Sequence, residues 1–207
     1  RAKLEGIGPV SLGSVEEYDE LTRRLEFLQT QQQDLIQARD DLKASMTQIN
    51  RAARAQFRDT FQRITQEFQH YYARLFNGGQ ADLILMDEED VLESGIDIVA
   101  RPPGKRLQSI SLLSGGERAL TATALLFALF KVRPSPFCIL DEIDAPLDEA
   151  NVGRFTRVLE EFLELSQFIL ITHNKNTITK ADSLYGVTME EPGISKILSA
   201  KLTRAAA

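Results

Sequence analysis

The sequence predicts an α/β lobe, a partly parallel sheet with flanking helices, preceded by one long helix of coiled-coil type. Three observations carry this. Apolar residues between Leu21 and Leu75 recur at alternating steps of four and three. An Asn77-Gly78-Gly79 break then separates that pattern from a region of short apolar runs alternating with helical ones. Two of those short runs end in polar residues suited to chemistry, Asp141-Glu142 and Thr172-His173.

The helix is the first element. Leu21, Leu25, Leu28, Leu35, Leu42, Met46, Ile49 and Ala53 form a heptad seam, interrupted only by Gln32 and Arg39. One extra step of four leads to Phe57, after which Phe61, Ile64, Phe68, Tyr71 and Leu75 continue the stripe. An inserted four is a stutter, which locally unwinds a supercoil. The pattern predicts one helix over 14–76, with Ser14 as N-cap ahead of Glu16 and Glu17 and the Asn-Gly-Gly as its stop. Such a seam needs a second helix, from a coiled-coil partner or from a bundle. Arg51, Arg54 and Arg58 share a helical face, with Lys43 nearby; they read as a solvated face or as a phosphate-contact patch. His70 reads as structural.

The region 77–207 follows as the lobe. Residues 81–86 and 95–101 read as strands joined by an acidic loop over 87–90, and Pro102-Pro103-Gly104 breaks the chain. The stretch 117–131 is apolar nearly all round, as in a buried helix. Residues 137–140 and 168–172 read as strands buried on both faces, the pattern of a parallel sheet, with an amphipathic helix over 152–165 between them. Stretches 183–189 and 195–202 read as a closing hairpin, and 203–207 as a frayed end.

Composition narrows the function classes. The chain has 207 residues, 43% of them hydrophobic, enough for a real core. With one cysteine, Cys138, no intrachain disulfide can form, so a reducing, intracellular setting is expected. No apolar run reaches the ~20 residues of a membrane span, and residues 1–9 lack a signal-peptide core. A net charge of −6 argues against nucleic-acid binding by overall charge while leaving room for a local basic patch.

Three constellations can carry chemistry. Leu113-Ser114-Gly115-Gly116-Glu117-Arg118 precedes the apolar helix. Glycines at a helix start let backbone N–H groups approach an anion, and the helix dipole adds positive potential; an ordinary cap has the same look. Asp141 and Glu142 follow a strand, where open α/β sheets bind ligands. Asp141 is suited to Mg²⁺ and Glu142 to orienting a water, although acids at a strand end are also commonly just solvated. His173 closes the next strand. Asp148 follows the turn-forming Ala145-Pro146-Leu147. A P-loop, Gly-x4-Gly-Lys-Ser/Thr, is not among these residues: Gly104-Lys105 is followed by Arg106 and lacks the upstream glycine.

The order Leu113 to His173 resembles the second half of an ABC-type ATPase: signature loop, Walker B strand with its glutamate, D-loop and switch histidine. Ser111-Leu-Leu-Ser-Gly-Gly-Glu, Pro136-Phe-Cys-Ile-Leu-Asp-Glu-Ile-Asp-Ala-Pro-Leu-Asp and Leu184-Tyr-Gly-Val-Thr-Met resemble the C-terminal head segment of bacterial structural-maintenance-of-chromosomes (SMC) proteins. Phe76-Asn-Gly-Gly and the 95–105 stretch are similar to the same family, so the resemblance spans essentially the whole chain.

That resemblance implies a coiled-coil helix over 14–76 and the C-terminal lobe of an ATPase head over 77–207. It implies ATP and Mg²⁺ as cofactors, with the Walker A loop supplied by the N-terminal head segment of the same protein, so that this chain alone is inactive. Two heads would sandwich two ATP molecules. Ser114, Gly115, Gly116 and Glu117 would contact the γ-phosphate of ATP held by the opposite head, Asp141 would support Mg²⁺, and Glu142 would position the hydrolytic water. His173 would sense the γ-phosphate, and Asp148 would contact the partner head. The implied partners are a second SMC head, DNA and the winged-helix domain of a kleisin subunit, with the 183–202 hairpin as its candidate surface. No membrane is implied; the setting is cytoplasmic and nucleoid-associated, in chromosome condensation and segregation. The alternatives are the head of a coiled-coil double-strand-break repair ATPase and a non-catalytic coiled-coil adaptor.

Overall fold

A computed structural model describes residues 13–201. The 1–9 segment, the 203–207 tail and Leu202 at the end of the expected hairpin lie outside the described residues. Two compact units divide the chain, one running to Ala55 and one from Gln56.

Helix α1 spans Ser14–Leu75, 62 residues. Ser14 is its first helical residue rather than its cap. Gly13 takes the flanking place, its carbonyl accepting from the Glu17 N–H at 3.0 Å. The other end closes as the sequence predicts. Asn77 turns left-handed at φ 54°, its N–H donating to the Arg74 carbonyl, while the Gly78 N–H reaches the Ala73 carbonyl at 2.7 Å. That pair of bonds is a Schellman motif, which satisfies carbonyls the helix end would otherwise orphan. Gly79 must be glycine: a Cβ there would lie 2.6 Å from the Arg101 carbonyl oxygen. Within the first unit the seam residues stand in solvent, Leu21 at 57% and Leu35 at 71% exposure.

In the second unit β1 (Gln80–Leu85) and β2 (Ile96–Arg101) pair antiparallel from Gln80↔Arg101 to Leu85↔Ile96. In the acidic loop between them Asp87 accepts from the Glu89 and Asp90 N–H groups. A two-residue strand β3 (Gln108–Ser109) adds to β2 and runs into a 3₁₀ turn at Ile110–Leu112; neither has enough residues to show a period in sequence. Helix α2 spans Gly115–Val132. Strands β4 (Phe137–Asp141) and β5 (Gln167–Ile171) pair in parallel, joined through helix α3 (Glu149–Glu160). A short helix α4 (Lys175–Ile178) precedes a hairpin of β6 (Ser183–Glu191) and β7 (Ile194–Lys201). Among the described residues these strands make three separate sheets, and the parallel part is β4–β5 alone.

Two further expectations are corrected. Helix α3 ends at Glu160, short of 165, because the chain tightens into i→i−3 bonds, Leu163 N–H to the Glu160 carbonyl and Leu165 N–H to that of Phe162. The tightening drops Phe162 into the core. The parallel strands are covered on one face only: Leu140 is buried, but Ile139 is 59% and Ile169 48% exposed.

The core gathers where the last turns of α1 meet α2 and α3. Tyr71, Phe127 and Phe162 pack ring to ring, with centroids of Phe127 and Phe162 stacked at 5.4 Å and Phe155 at 5.8 Å from Phe127. Arg74 in α1 donates to both carboxylate oxygens of Glu161, a bidentate clasp onto the segment after α3.

Candidate active site

The parallel ladder sets the site. Its last pair is Asp141↔Ile171, and the Glu142 N–H donates to the Ile171 carbonyl at 2.9 Å. Asp141, Glu142, Thr172 and His173 therefore leave the C-terminal edge of the same two strands, the place where α/β sheets receive ligands. Glu142 sits at φ +48°, a left-handed conformation unusual for a non-glycine residue. Asp141, Glu142 and His173 are exposed, and among the described residues their side chains make no hydrogen bond or ion pair.

Other acids nearby are committed. Asp148 is the N-cap of α3, accepting from the Asn151 N–H at 2.7 Å. Asp144, 2% exposed, accepts from the Thr172 hydroxyl at 2.7 Å and from the Thr177 hydroxyl. Glu117 takes the Ser114 N–H at 3.1 Å and hydroxyl at 2.8 Å, and forms an ion pair with Lys105 at 2.8 Å. That arrangement holds the Glu117 carboxyl below its ordinary range, first through the Lys105 hydrogen bond and then through Ser114. Burial, with the Glu117 charge second, pushes the Tyr72 phenol well up; its hydroxyl is buried and finds no hydrogen-bond partner among the described residues.

The glycine-led helix start is braced from two sides. Arg118 donates to the Leu113 carbonyl at 3.2 Å and holds the approach to Ser114. Gly116 lies so close to the turn after β4 that a Cβ would come 3.1 Å from the Pro146 carbonyl oxygen, whereas one on Gly115 would meet open space. The structure thus places Ser114, Gly115 and Gly116 at the start of α2, Asp141 and Glu142 at the end of β4, and His173 just beyond β5. Asp148 and Glu117 are spent on their own helix starts. Sequence reasoning missed Asp144, Lys105 and Arg118. The acid in Asp144-Ala-Pro-Leu-Asp148 was visible, but its threonine partners lie 28 and 33 residues downstream.

The donor set fits a magnesium ion carried on phosphate. Mg²⁺ usually takes one or two carboxylates and completes its shell with phosphate oxygens and water, and Asp141 offers one uncommitted carboxylate. Among the described residues no group of three His, Cys, Asp or Glu side chains makes an all-protein metal cage. Burial pushes the Cys138 thiol up, away from thiolate chemistry.

A compact α/β lobe that brings a glycine-led helix, two free acids and a histidine toward one region, and that grows from a 62-residue helix, defines the class of head-and-coil proteins. The chain belongs to the family described as RecF/RecN/SMC N terminal domain, which matches residues 16–196. It is 50% identical over all 207 residues to the chromosome partition protein Smc of Myxococcus xanthus and 50% identical over 199 residues to that of Bacillus subtilis. It spans 17% of the length of each of these relatives. Among solved structures it is similar to the Smc head domain with a coiled coil and joint from Pyrococcus yayanosii, at TM-score 0.77 and 35% identity, covering 96% of this chain and 38% of that one. The Smc head with an extended coiled coil from Pyrococcus furiosus, bound to the C-terminal domain of ScpA, matches at TM-score 0.74 and 37% identity, covering 91% of this chain and 47% of that one. A chain from a study of ATP-driven dimerization and DNA-stimulated activation of SMC ATPases matches at TM-score 0.64 and 43% identity, covering 70% of this chain and 88% of that one.

Proposed function

We propose that this chain is the C-terminal half of an SMC ATPase head with its adjoining coil, 14–76 and 77–207, acting in chromosome partition. The observation that carries the reading is the β4–β5 pair, which delivers two uncommitted acids to its edge while leaving one apolar face open. That face is the surface against which the N-terminal segment, with its Walker A loop, would pack to complete the core and the nucleotide cradle. The extent of the match to a solved SMC ATPase chain, 88% of which this chain covers, supports the existence of such a unit.

In the completed head ATP is the substrate, and a bound Mg²⁺ neutralises charge on its phosphates. Asp141 would hold that ion. Glu142 orients the attacking water and accepts its proton at a carboxylate oxygen, and His173 donates to the terminal phosphate. Ser114 and the backbone of Gly115 and Gly116 offer donors to ATP on a second head; Glu117 and Lys105 fix the Ser114 loop. Asp148 caps α3 and presents the turn to the partner head. Phosphoryl transfer asks mainly for positioning and charge stabilisation, which these groups supply. ATP binding closes two heads, hydrolysis parts them, and α1 with its coil partner transmits the motion to a DNA-holding assembly in the cytoplasm. The 183–202 hairpin, whose Tyr185, Val187 and Ile197 are exposed, is the surface for the winged-helix domain of a kleisin.

The test is ATP hydrolysis by this chain alone and mixed with its N-terminal head segment, with Glu142→Gln as control. Activity is expected only in the mixture, and Glu142→Gln lowers it at least about 100-fold. Association of the segments without activity would overturn the site assignments, and activity of this chain alone would overturn the half-head reading.

A further inference from the structure

The acid that the proposed mechanism does not use is the one most deeply placed. Asp144 is 2% exposed, and among the described residues no cation lies within ion-pair distance of it. Its partners are two hydroxyls that converge on one carboxylate oxygen, Thr172 at the end of β5 and the buried Thr177 in α4. The Thr172 hydroxyl in turn accepts from the Asn174 N–H at 2.9 Å, so its proton is directed at Asp144 and its lone pair at the backbone just beyond His173. Thr172 and Asn174 flank His173, and both are held through the same bond chain. On its other side Asp144 belongs to the turn that begins at Glu142. The Ala145 N–H donates to the Glu142 carbonyl and the Leu147 N–H to the Asp144 carbonyl, each at 3.1 Å, and the Pro146 carbonyl abuts Gly116.

We propose that Asp144 is the positioning residue of this site: by accepting from Thr172 and Thr177 it fixes the His173 segment against the Glu142 turn, and through Pro146 and Gly116 it fixes both against the Ser114 loop. The inference rests on the roles given above to Glu142 and His173. A single acceptor oxygen serves both hydroxyls, so the acceptor rather than the charge is what the geometry uses. Asparagine can present one oxygen at the same place; alanine presents none and leaves the buried Thr177 hydroxyl and the half-buried Thr172 hydroxyl without an acceptor.

The chain holds two histidines, His70 and His173, which makes the test direct. His70 packs edge-on to the core ring of Tyr71 at 5.1 Å and reports on the fold. In imidazole carbon–proton NMR spectra of this chain, Asp144→Ala is expected to move the His173 resonances and leave those of His70 in place, while Asp144→Asn leaves both near their original positions. An unmoved His173 in Asp144→Ala would overturn the proposal. Should Asp144→Ala also disturb His70, Thr177→Val, which removes one donor and keeps the carboxylate, decides by the same criterion. In the full protein, Asp144→Ala lowers kcat by roughly 10- to 100-fold, as small misplacements of reacting groups do, with KM for ATP changed less than about threefold; Asp144→Asn restores most of kcat. Leu159→Ala, a buried change elsewhere in the second unit, serves as the stability control with kcat unchanged. Activity surviving Glu142→Gln would sink the mechanistic reading itself. Activity lost in Glu142→Gln but kept in Asp144→Ala would sink only the positioning role.

Discussion

The aromatic core around the end of α1 and the parallel pair β4–β5 use the same kinds of side chain and reach opposite states. Phe68, Tyr72, Phe127 and Phe155 are sealed by their neighbours within the chain. Ile139 and Ile169, which face each other in register on the ladder, are left about half in water. The core is held by rings that meet ring with ring, each such pair adding about 0.5–1.5 kcal/mol beyond the area it buries. The ladder has its backbone satisfied and one face unclaimed. Hydrophobic burial is non-directional and proportional to area, so the unclaimed face is free energy still available to a second segment. One part of the molecule is finished by its own sequence, and the other keeps an apolar face in water, the face to which the proposed function assigns the N-terminal segment.

The contrast can be broken most severely at Phe127. Replacing it by alanine removes the ring that touches Tyr71, Phe155 and Phe162, and a loss of about 3–5 kcal/mol in urea unfolding is expected. A loss below about 1 kcal/mol would mean the core does not depend on this ring. The paired change Ile139→Ser and Ile169→Ser should act the other way round. Stability of the chain alone should shift by less than about 1 kcal/mol, since both side chains are already wet. Affinity for the N-terminal head segment, measured by calorimetry, should fall at least about tenfold. Equal affinity would show that this face is not the docking surface.

The smallest effect expected is electrostatic. The Glu117 carboxyl is held below its ordinary 4.5 chiefly by Lys105. A carboxylate with a lowered folded pKa adds stability above its unfolded pKa, and that gain fades as pH drops through the folded value. Lys105→Ala should therefore lower the unfolding free energy at pH 7 by about 0.2–1 kcal/mol and make no difference near pH ~2, with unfolding curves at both pH values as the check.

Much of this was legible before any coordinates. The heptad steps and the Asn77-Gly78-Gly79 stop located α1, because periodicity and left-handed caps are local properties of sequence. The strands β1 and β2 followed from alternation and the closing hairpin was visible, while the antiparallel pairing of β1 with β2 comes from the structure. What escaped was set by partners far along the chain. A run such as Phe137-Cys138-Ile139-Leu140 announces that two faces are apolar, and nothing in it distinguishes a face covered within the chain from one left open. Asp144 and Asp148 look equivalent as acids in a turn; only Thr172 and Thr177 make one of them a buried acceptor while the other caps α3. The short pieces, β3 and α4, have too few residues to display a period.

The backbone of Glu142 carries a last consequence. At φ +48° a glycine would rest without penalty, whereas a side chain there costs on the order of 1 kcal/mol. A chain optimised for durability alone would place glycine or asparagine at that bend. Glutamate holds it instead, at a small cost in robustness that the proposed water-orienting role of its carboxylate would account for. Substitutions that toughen the protein there are expected to be the ones that silence it, a trade set by one torsion angle.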